Sequence, residues 1–147
     1  MQPDIINLAF ASERNPRAEL FIIEGSPLTL KLSRQRKTKA LEHFLEKRQH
    51  IINVITDQLD NRSAFTGTIA IQLSFHFPLL QNARLERKSE LIGKPYRHNP
   101  SLDHLIKLYL ECLKDASCFG EECVISWTNA YKVYGVPRTE IIIREVR

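Results

Sequence analysis

The order of hydrophobic and polar positions predicts an alternation of strands and helices along the chain. The apolar run ELFIIEG, residues 19–25, is typical of a short buried strand closed by glycine. From Thr38 to Leu59 apolar residues recur at helical spacing, which predicts a long amphipathic helix. The alternating stretch TIAIQLSFHF, residues 68–77, predicts a strand with one buried face and one more polar face.

The second half of the chain predicts a helix followed by two strands. In residues 101–114 the apolar positions fall at i, i+3, i+4, i+7, i+8 and i+11 from Leu102, which is typical of a helix with one buried stripe. Ser101 is suited to cap its N-terminus. Strands are predicted at 123–134 and 138–146. The expected fold is therefore α/β, a single small domain with a mixed β-sheet and two main helices, in the order strand-helix-strand-helix-strand-strand.

The remaining segments give weaker signals. Residues 1–18 are expected to form a loosely ordered leader, with the domain proper at 19–147. The polar connection between Pro78 and Pro100 has no convincing periodicity, and a connection this long is usually functional or mobile. The first helix is expected to bury one apolar face, formed by Leu41, Phe44, Leu45, Ile51, Ile52, Ile55 and Leu59.

Composition limits the function classes that need to be considered. The 147 residues include 43% hydrophobic and 26% charged residues, which is typical of a globular domain and unlike a disordered tail or a membrane protein. Without a spanning segment or secretory signal, a cytoplasmic location is expected. The net charge of +4 permits nucleic acid as a partner without requiring it. Cys112, Cys118 and Cys123 match no zinc-ligand spacing, so free thiols are expected.

Asp103 and Lys107 are the first candidates for chemistry. They are four residues apart on the polar face of the second helix, beside His104 and Glu111. On spacing alone an ordinary i,i+4 salt bridge is the more frequent explanation, worth about 0.2–0.5 kcal/mol. The acidic pair Glu121–Glu122 precedes the next strand; if it converges with Asp103, carboxylates and a lysine together would suit a Mg²⁺-dependent phosphodiesterase.

These motifs resemble the RusA family of Holliday-junction resolvases. The family has P-D-x-D-N-L-x-K at the start of a helix and an acidic pair before a strand; this chain has PSLDHLIK at 100–107 and FGEECVI at 119–125, at the family's separation. More loosely, LFIIEGSPLTLKLSRQR resembles the family's opening strand, turn and basic loop, and FTGTIAIQLSFHF its central strand. The similarity covers about residues 19–145.

The resemblance implies site residues position by position. Asp103 would be a metal-binding catalytic aspartate, Lys107 the catalytic lysine, and Glu122 a catalytic metal ligand, with Glu121 a weaker candidate ligand. Two departures weaken the match, because Ser101 replaces the family's first aspartate and His104 its asparagine. A serine hydroxyl brings no charge to offset the dehydration of Mg²⁺. The resemblance therefore leaves open an enzyme with weak metal binding and a protein that has lost cleavage.

Two basic segments are candidates for contacts with DNA phosphates. Such contacts position a protein on DNA without reading base sequence, which suits recognition of a branched shape. The candidate DNA-binding residues are Lys31, Arg34, Arg36, Lys37, Lys39, Arg87, Lys88 and Arg97. Trp127 and Tyr131 could form a stacking platform, but aromatic residues on a strand are more often core, and core is predicted.

The expected function is Mg²⁺-dependent hydrolysis of four-way DNA junctions, with Mn²⁺ as a possible substitute. The resemblance implies a homodimer, which suits the two-fold symmetry of a junction and paired nicks. The alternatives are a protein of the same fold that binds branched DNA without cutting it, and an unrelated basic α/β module with a salt-bridged helix.

Overall fold

Four strands form a mixed sheet with helices packed on one side. The computed structural model describes residues 16–29, 37–79 and 85–146. Its elements are β1 (Ala18–Glu24), α1 (Lys37–Leu59), β2 (Thr68–Phe77), α2 (Leu85–Leu91), α3 (Leu102–Asp115), β3 (Val124–Tyr134) and β4 (Arg138–Glu145). The strand order is β1-β4-β2-β3, with β4 antiparallel to β1 and β2, and β3 parallel to β2. This architecture confirms the predicted α/β class, mixed sheet and element order, with the short α2 as an addition.

The central strand β2 carries the core of the domain. Ile69, Ile71, Leu73 and Phe75 have no exposed surface, because they alternate onto the side of the sheet that the helices cover. On the opposite side of β2 lie Ala70, Gln72, Ser74 and His76, as the alternation predicts. The bounds of this strand are those predicted from the sequence.

Mainly the second half of α1 packs on this core. Ile51, Ile52, Ile55 and Leu59 are buried and Phe44 is partly buried, but the side chains of two residues predicted for the same buried face are largely exposed. Leu41 is 45% and Leu45 is 51% exposed. The prediction was wrong for these two, because no described element covers their side of the first turns of α1.

The connection between β2 and α3 contains a short helix that the sequence did not reveal. The seven residues of α2, Leu85–Leu91, span about two turns, too few for a hydrophobic period to stand out. The rest of this connection packs along the end of β3 through an antiparallel bridge between Pro95 and Val133. Phe77 stacks on Tyr96 with ring centroids 4.0 Å apart. The loop before α3 is therefore fastened to the sheet.

Strand β3 lies at the edge of the sheet, which overturns the prediction that its aromatic residues are core. Trp127 is 45% and Tyr131 is 41% exposed. They lie opposite Ala70 and Ser74 of β2, on the side of the sheet that carries no described helix. Periodicity identified the strand but carried no information about its edge position.

Two further features are the disulfide state of the cysteines and the membrane-spanning length of the helices. Cys112, Cys118 and Cys123 are free thiols, the first two of them buried. None of the helices in the described ranges is long and apolar enough to cross a membrane. Residues 1–15 of the predicted leader lie outside the described residues, and its last residue, Ala18, already belongs to β1.

Candidate active site

The N-terminus of α3 is built by Ser101. Its backbone is extended, with φ −66° and ψ 150°, and its hydroxyl accepts a hydrogen bond from the backbone N–H of His104 at 3.3 Å. This is the geometry of an N-cap, as the sequence predicted. The hydroxyl is thus engaged with the helix terminus, at the position where the family pattern has a carboxylate.

Asp103 and Lys107 lie one turn apart on the exposed face of α3. The opposite face buries Leu105, Leu108, Tyr109, Cys112 and Leu113. No ion pair joins Asp103 to Lys107, although both residues are described. The ordinary salt-bridge interpretation is therefore not realised, and the carboxylate and the ammonium are both open to a ligand.

Glu121 and Glu122 lie beyond the other end of α3. Between that helix and β3, Phe119 bridges to Phe65 and the backbone N–H of Val124 donates to Gly67 at 2.8 Å. The carboxylate of Glu122 folds over Gly120, so closely that a Cβ at that glycine would lie 2.8 Å from Oε2. Both glutamates are exposed and their turn is held at the start of β3.

The two acidic positions do not converge within one chain. The 14 residues of α3 span about 20 Å, with Asp103 in the first turn and the glutamates beyond the last. The ammonium of Lys132 donates to the carbonyl of Pro100, so the Asp103 end of α3 lies beside the end of β3, whereas Glu122 precedes its start. In the described ranges no three His, Cys, Asp or Glu side chains are grouped to hold a metal ion. The oxygen ligands suit Mg²⁺ chemically, but one chain alone does not fit the ion.

A basic cleft opens just before the start of α3. It measures about 380 Å³. Its lining residues are Arg87, Glu90, Leu91, Lys94, Pro95, Arg97, His98 and Tyr134. Arg87 forms an ion pair with Glu90 at 3.8 Å, which leaves the cationic groups of Lys94 and Arg97 without an acidic partner among the cleft residues. The cleft can hold an anionic group such as a backbone phosphate.

Comparison with known protein families identifies a match over most of the chain. The family model described as endodeoxyribonuclease RusA matches residues 30–144. The chain belongs to the RusA family. This membership confirms the resemblance seen in the helix motif, and at the level of the family it supports an endonuclease that resolves Holliday junctions.

Other comparisons add little to RusA family membership. No curated protein is significantly similar to the chain. Among solved structures, the crystal structure of the HypE-HypF complex matches with a TM-score of 0.34 and 11% identity, over 95% of this chain and 40% of that chain. A similarity this low carries no weight for fold or function.

The candidate DNA-binding residues have different positions. Lys31, Arg34 and Arg36 lie outside the described residues, and Lys37 opens α1 with only its backbone described. Lys39 is exposed on α1, Arg87 and Lys88 lie on α2, and Arg97 lines the basic cleft. Of the predicted set, Arg87 and Arg97 are therefore brought together.

Sequence reasoning missed two features next to the helix motif. It did not assign Lys94, His98 or Tyr134 to a cleft, because the cleft depends on how the connection folds. It also gave Lys132 no role, although its ammonium donates to the carbonyls of His98 at 2.8 Å and Pro100 at 2.7 Å. No local pattern distinguishes this lysine from others on strands.

Proposed function

We propose that the protein is a Mg²⁺-dependent endonuclease that resolves four-way DNA junctions by paired phosphodiester hydrolysis. The observation that carries the proposal is the pair Asp103 and Lys107, exposed and not ion-paired with each other on the first turns of α3 in a chain of the RusA family. A carboxylate and an ammonium group that form no ion pair with each other contribute little to stability. At a helix start beside a basic cleft, they are suited to bind a metal ion and a phosphate.

Each residue has a distinct role in this proposal. Asp103 would bind the metal ion, with Glu122 as second ligand and Glu121 as an additional candidate. When bound, Mg²⁺ lowers the pKa of a coordinated water and stabilises the leaving oxygen. Lys107 lies one turn further along α3 and neutralises charge on the phosphate. Lys94 and Arg97 in the basic cleft hold the DNA backbone next to this site.

The separation of Asp103 from Glu122 supports a homodimer in which each site draws on both chains. Since α3, about 20 Å long, separates Asp103 in its first turn from Glu122 beyond its last, the second ligand has to come from another chain in this proposal. In a C2 dimer both chains use the same surface for contact. If one chain supplies its Glu122 to the site of its partner, the partner therefore supplies its own Glu122 to the first chain. Two equivalent sites result, as paired nicking requires.

The edge of β3 is the surface that best fits this dimer. From Val124 to Tyr131 the strand pairs only with β2, and no described strand pairs with its outer edge. These eight residues contain no charged side chain, although exposed edge strands are usually protected by charge. Antiparallel pairing of two copies would bring the start of one β3, and thus Glu122, to the end of the other, where α3 begins. The same antiparallel pairing of β3 would therefore form the dimer and bring Glu122 of one chain to Asp103 of the other.

A second candidate function is junction binding without cleavage. Ser101 favours it, because its hydroxyl caps α3 and no carboxylate stands at that position. The metal would then lose one charged ligand, while the basic segments that contact phosphates would remain. The two functions differ in metal dependence and in product, and one assay separates them.

The experiment is cleavage of an end-labelled synthetic four-way junction at low salt, with Mg²⁺ or Mn²⁺. We expect symmetric nicks in opposite strands from the unaltered protein, none from Asp103→Asn, and a loss of about 100-fold or more from Lys107→Met. Lys114→Met, an exposed lysine in the last turn of α3, is the matched control and retains activity. Tight binding without nicks under either metal would establish the second candidate instead.

A further inference from the structure

Lys132 makes an unusual set of contacts for a strand lysine. It is near the end of β3, opposite Phe75 of β2, so its side chain lies on the helix-covered side of the sheet. Its ammonium donates to the carbonyl oxygens of His98 at 2.8 Å and of Pro100 at 2.7 Å. The ammonium also lies 5.7 Å from the centroid of the Tyr96 ring. A single cation thus joins two carbonyls on either side of Asn99 to the sheet.

The backbone around Lys132 holds the same loop. Its carbonyl accepts from the N–H of Tyr96 at 3.0 Å, and the N–H of Tyr134 donates to the carbonyl of Lys94 at 3.0 Å. These bonds end at Tyr96, and the next fixed element is the N-cap at Ser101. The side chain of Lys132 therefore bridges the interval between Tyr96 and the start of α3. An edge contact between the rings of Tyr96 and His98, 5.3 Å apart, lies in the same interval.

This bridge lies directly before the start of α3. Pro100 is directly followed by Ser101, and Asp103 is two residues further along. A shift of the Pro100 carbonyl would move the cap and, with it, the carboxylate and the lysine on the first two turns. Displacements of about 1 Å at a catalytic group are enough to slow an enzyme about 100-fold.

A direct contact of Lys132 with DNA fits the geometry less well. Two of its three donors are taken by carbonyls, and burial lowers the pKa of the ammonium. Lys94 and Arg97, in contrast, have no acidic partner within the basic cleft.

We propose that Lys132 is a positioning residue for the start of α3, which fixes Asp103 and Lys107 for cleavage through the carbonyls of His98 and Pro100 without touching the DNA. This inference rests on the proposed nuclease function, and it adds a residue that does not belong to the helix motif or the acidic pair. It also makes the wall of the basic cleft at Arg97 and His98 part of the same held loop.

The test compares Lys132→Met with Lys132→Arg, using Lys114→Met as the control. In Lys132→Met we expect amide exchange at His104 and Leu105, whose N–H groups donate to Ser101, to rise about tenfold, while exchange in β2 stays unchanged. Junction cleavage at saturating enzyme should fall about tenfold or more, with the junction dissociation constant changed less than about twofold. Lys132→Arg keeps donors for both carbonyls and should recover most of the exchange protection and of the cleavage rate.

Each outcome decides the inference. Unchanged exchange at His104 and Leu105 in a folded Lys132→Met protein would overturn it, and so would weakened junction binding with a smaller salt dependence, which is the signature of a phosphate contact. If Lys132→Met does not fold, Lys132→Gln replaces it; equal exchange in the Gln and Arg variants would overturn the proposal. If the unaltered protein does not cut junctions, the proposed function fails, while the exchange measurement still decides whether Lys132 positions α3.

Discussion

Tyr109→Phe is expected to destabilise the protein through one lost hydrogen-bond acceptor. The Tyr109 hydroxyl accepts from the backbone N–H of Leu28 at 2.9 Å and lies 3.5 Å from the Thr139 hydroxyl, which donates to it. Both partners are buried, with Leu28 4% and Thr139 0% exposed. Phenylalanine keeps the edge-to-face contact with Phe75, whose ring centroid is 5.1 Å away. The substitution therefore removes the acceptor and leaves the ring packing in place.

The magnitude follows from the N–H that is left without a partner. A buried donor without an acceptor costs about 1–3 kcal/mol, and we expect a loss of about 2 kcal/mol in the free energy of unfolding. For a domain of this size, that corresponds to a fall of about 4–8 °C in Tm. The assay is urea unfolding followed by circular dichroism, with a thermal scan beside it.

Glu46→Gln is the control, because Glu46 is exposed on α1, away from the proposed site and from the edge of β3. Its unfolding free energy should change by less than about 0.5 kcal/mol. If Tyr109→Phe lowered the free energy of unfolding no more than this control does, the Leu28 N–H would have another acceptor and the predicted loss would be wrong. The result also bears on function, since Leu28 precedes the basic segment that starts at Lys31, and Tyr109 ties that point of the chain to α3.

Three further predictions concern the site, DNA binding and stability. An equal mixture of Asp103→Asn and Glu122→Gln chains should restore about a quarter of wild-type nicking. Half of the dimers then contain one chain of each kind, and one of their two shared sites keeps both carboxylates. No recovery of nicking would exclude a shared site. Arg97→Ala should lower the slope of log affinity against log salt by about one for any junction sequence, and an unchanged slope would remove Arg97 from the DNA contacts. Burial raises the pKa of the Cys118 thiol from 9.0 to about 12. The contribution of the neutral thiol to the free energy of unfolding is therefore complete below the unfolded pKa and decreases as pH rises above about 9. In thermal scans Cys118→Ala should show a smaller fall of Tm above this pH, and an equal fall would show that Cys118 is not its source.

Elements with a strong local signal could be predicted from the sequence. The bounds of β2 follow from strict alternation, and α3 starts where Ser101 can cap it. The exposure of Trp127 could not be predicted, because the same alternation occurs on central and edge strands. Leu41 was misplaced for a related reason, since a helical period does not show which turns of the helix other elements cover. Periodicity thus predicts elements, and tertiary arrangement decides which of their faces are covered.

The candidate site was predictable only in its local part. Asp103 and Lys107 face the same way because four residues make about one turn. Their distance from Glu122 depends on the length and direction of α3 relative to β3, which neither motif contains. The contact of Lys132 with the loop before α3 joins residues more than 30 positions apart, and only the folded chain reveals it.

The most direct measurement is the product formed from a supercoiled plasmid that extrudes a cruciform. A resolvase with two equivalent sites cuts both opposing strands before it dissociates, so we expect linear plasmid in the presence of Mg²⁺ and no cutting by Asp103→Asn. Chelation of the metal should leave the plasmid supercoiled. Plasmid that stays supercoiled with Mg²⁺ and Mn²⁺, under conditions in which the protein binds four-way junctions, would show that the protein binds junctions without nuclease activity.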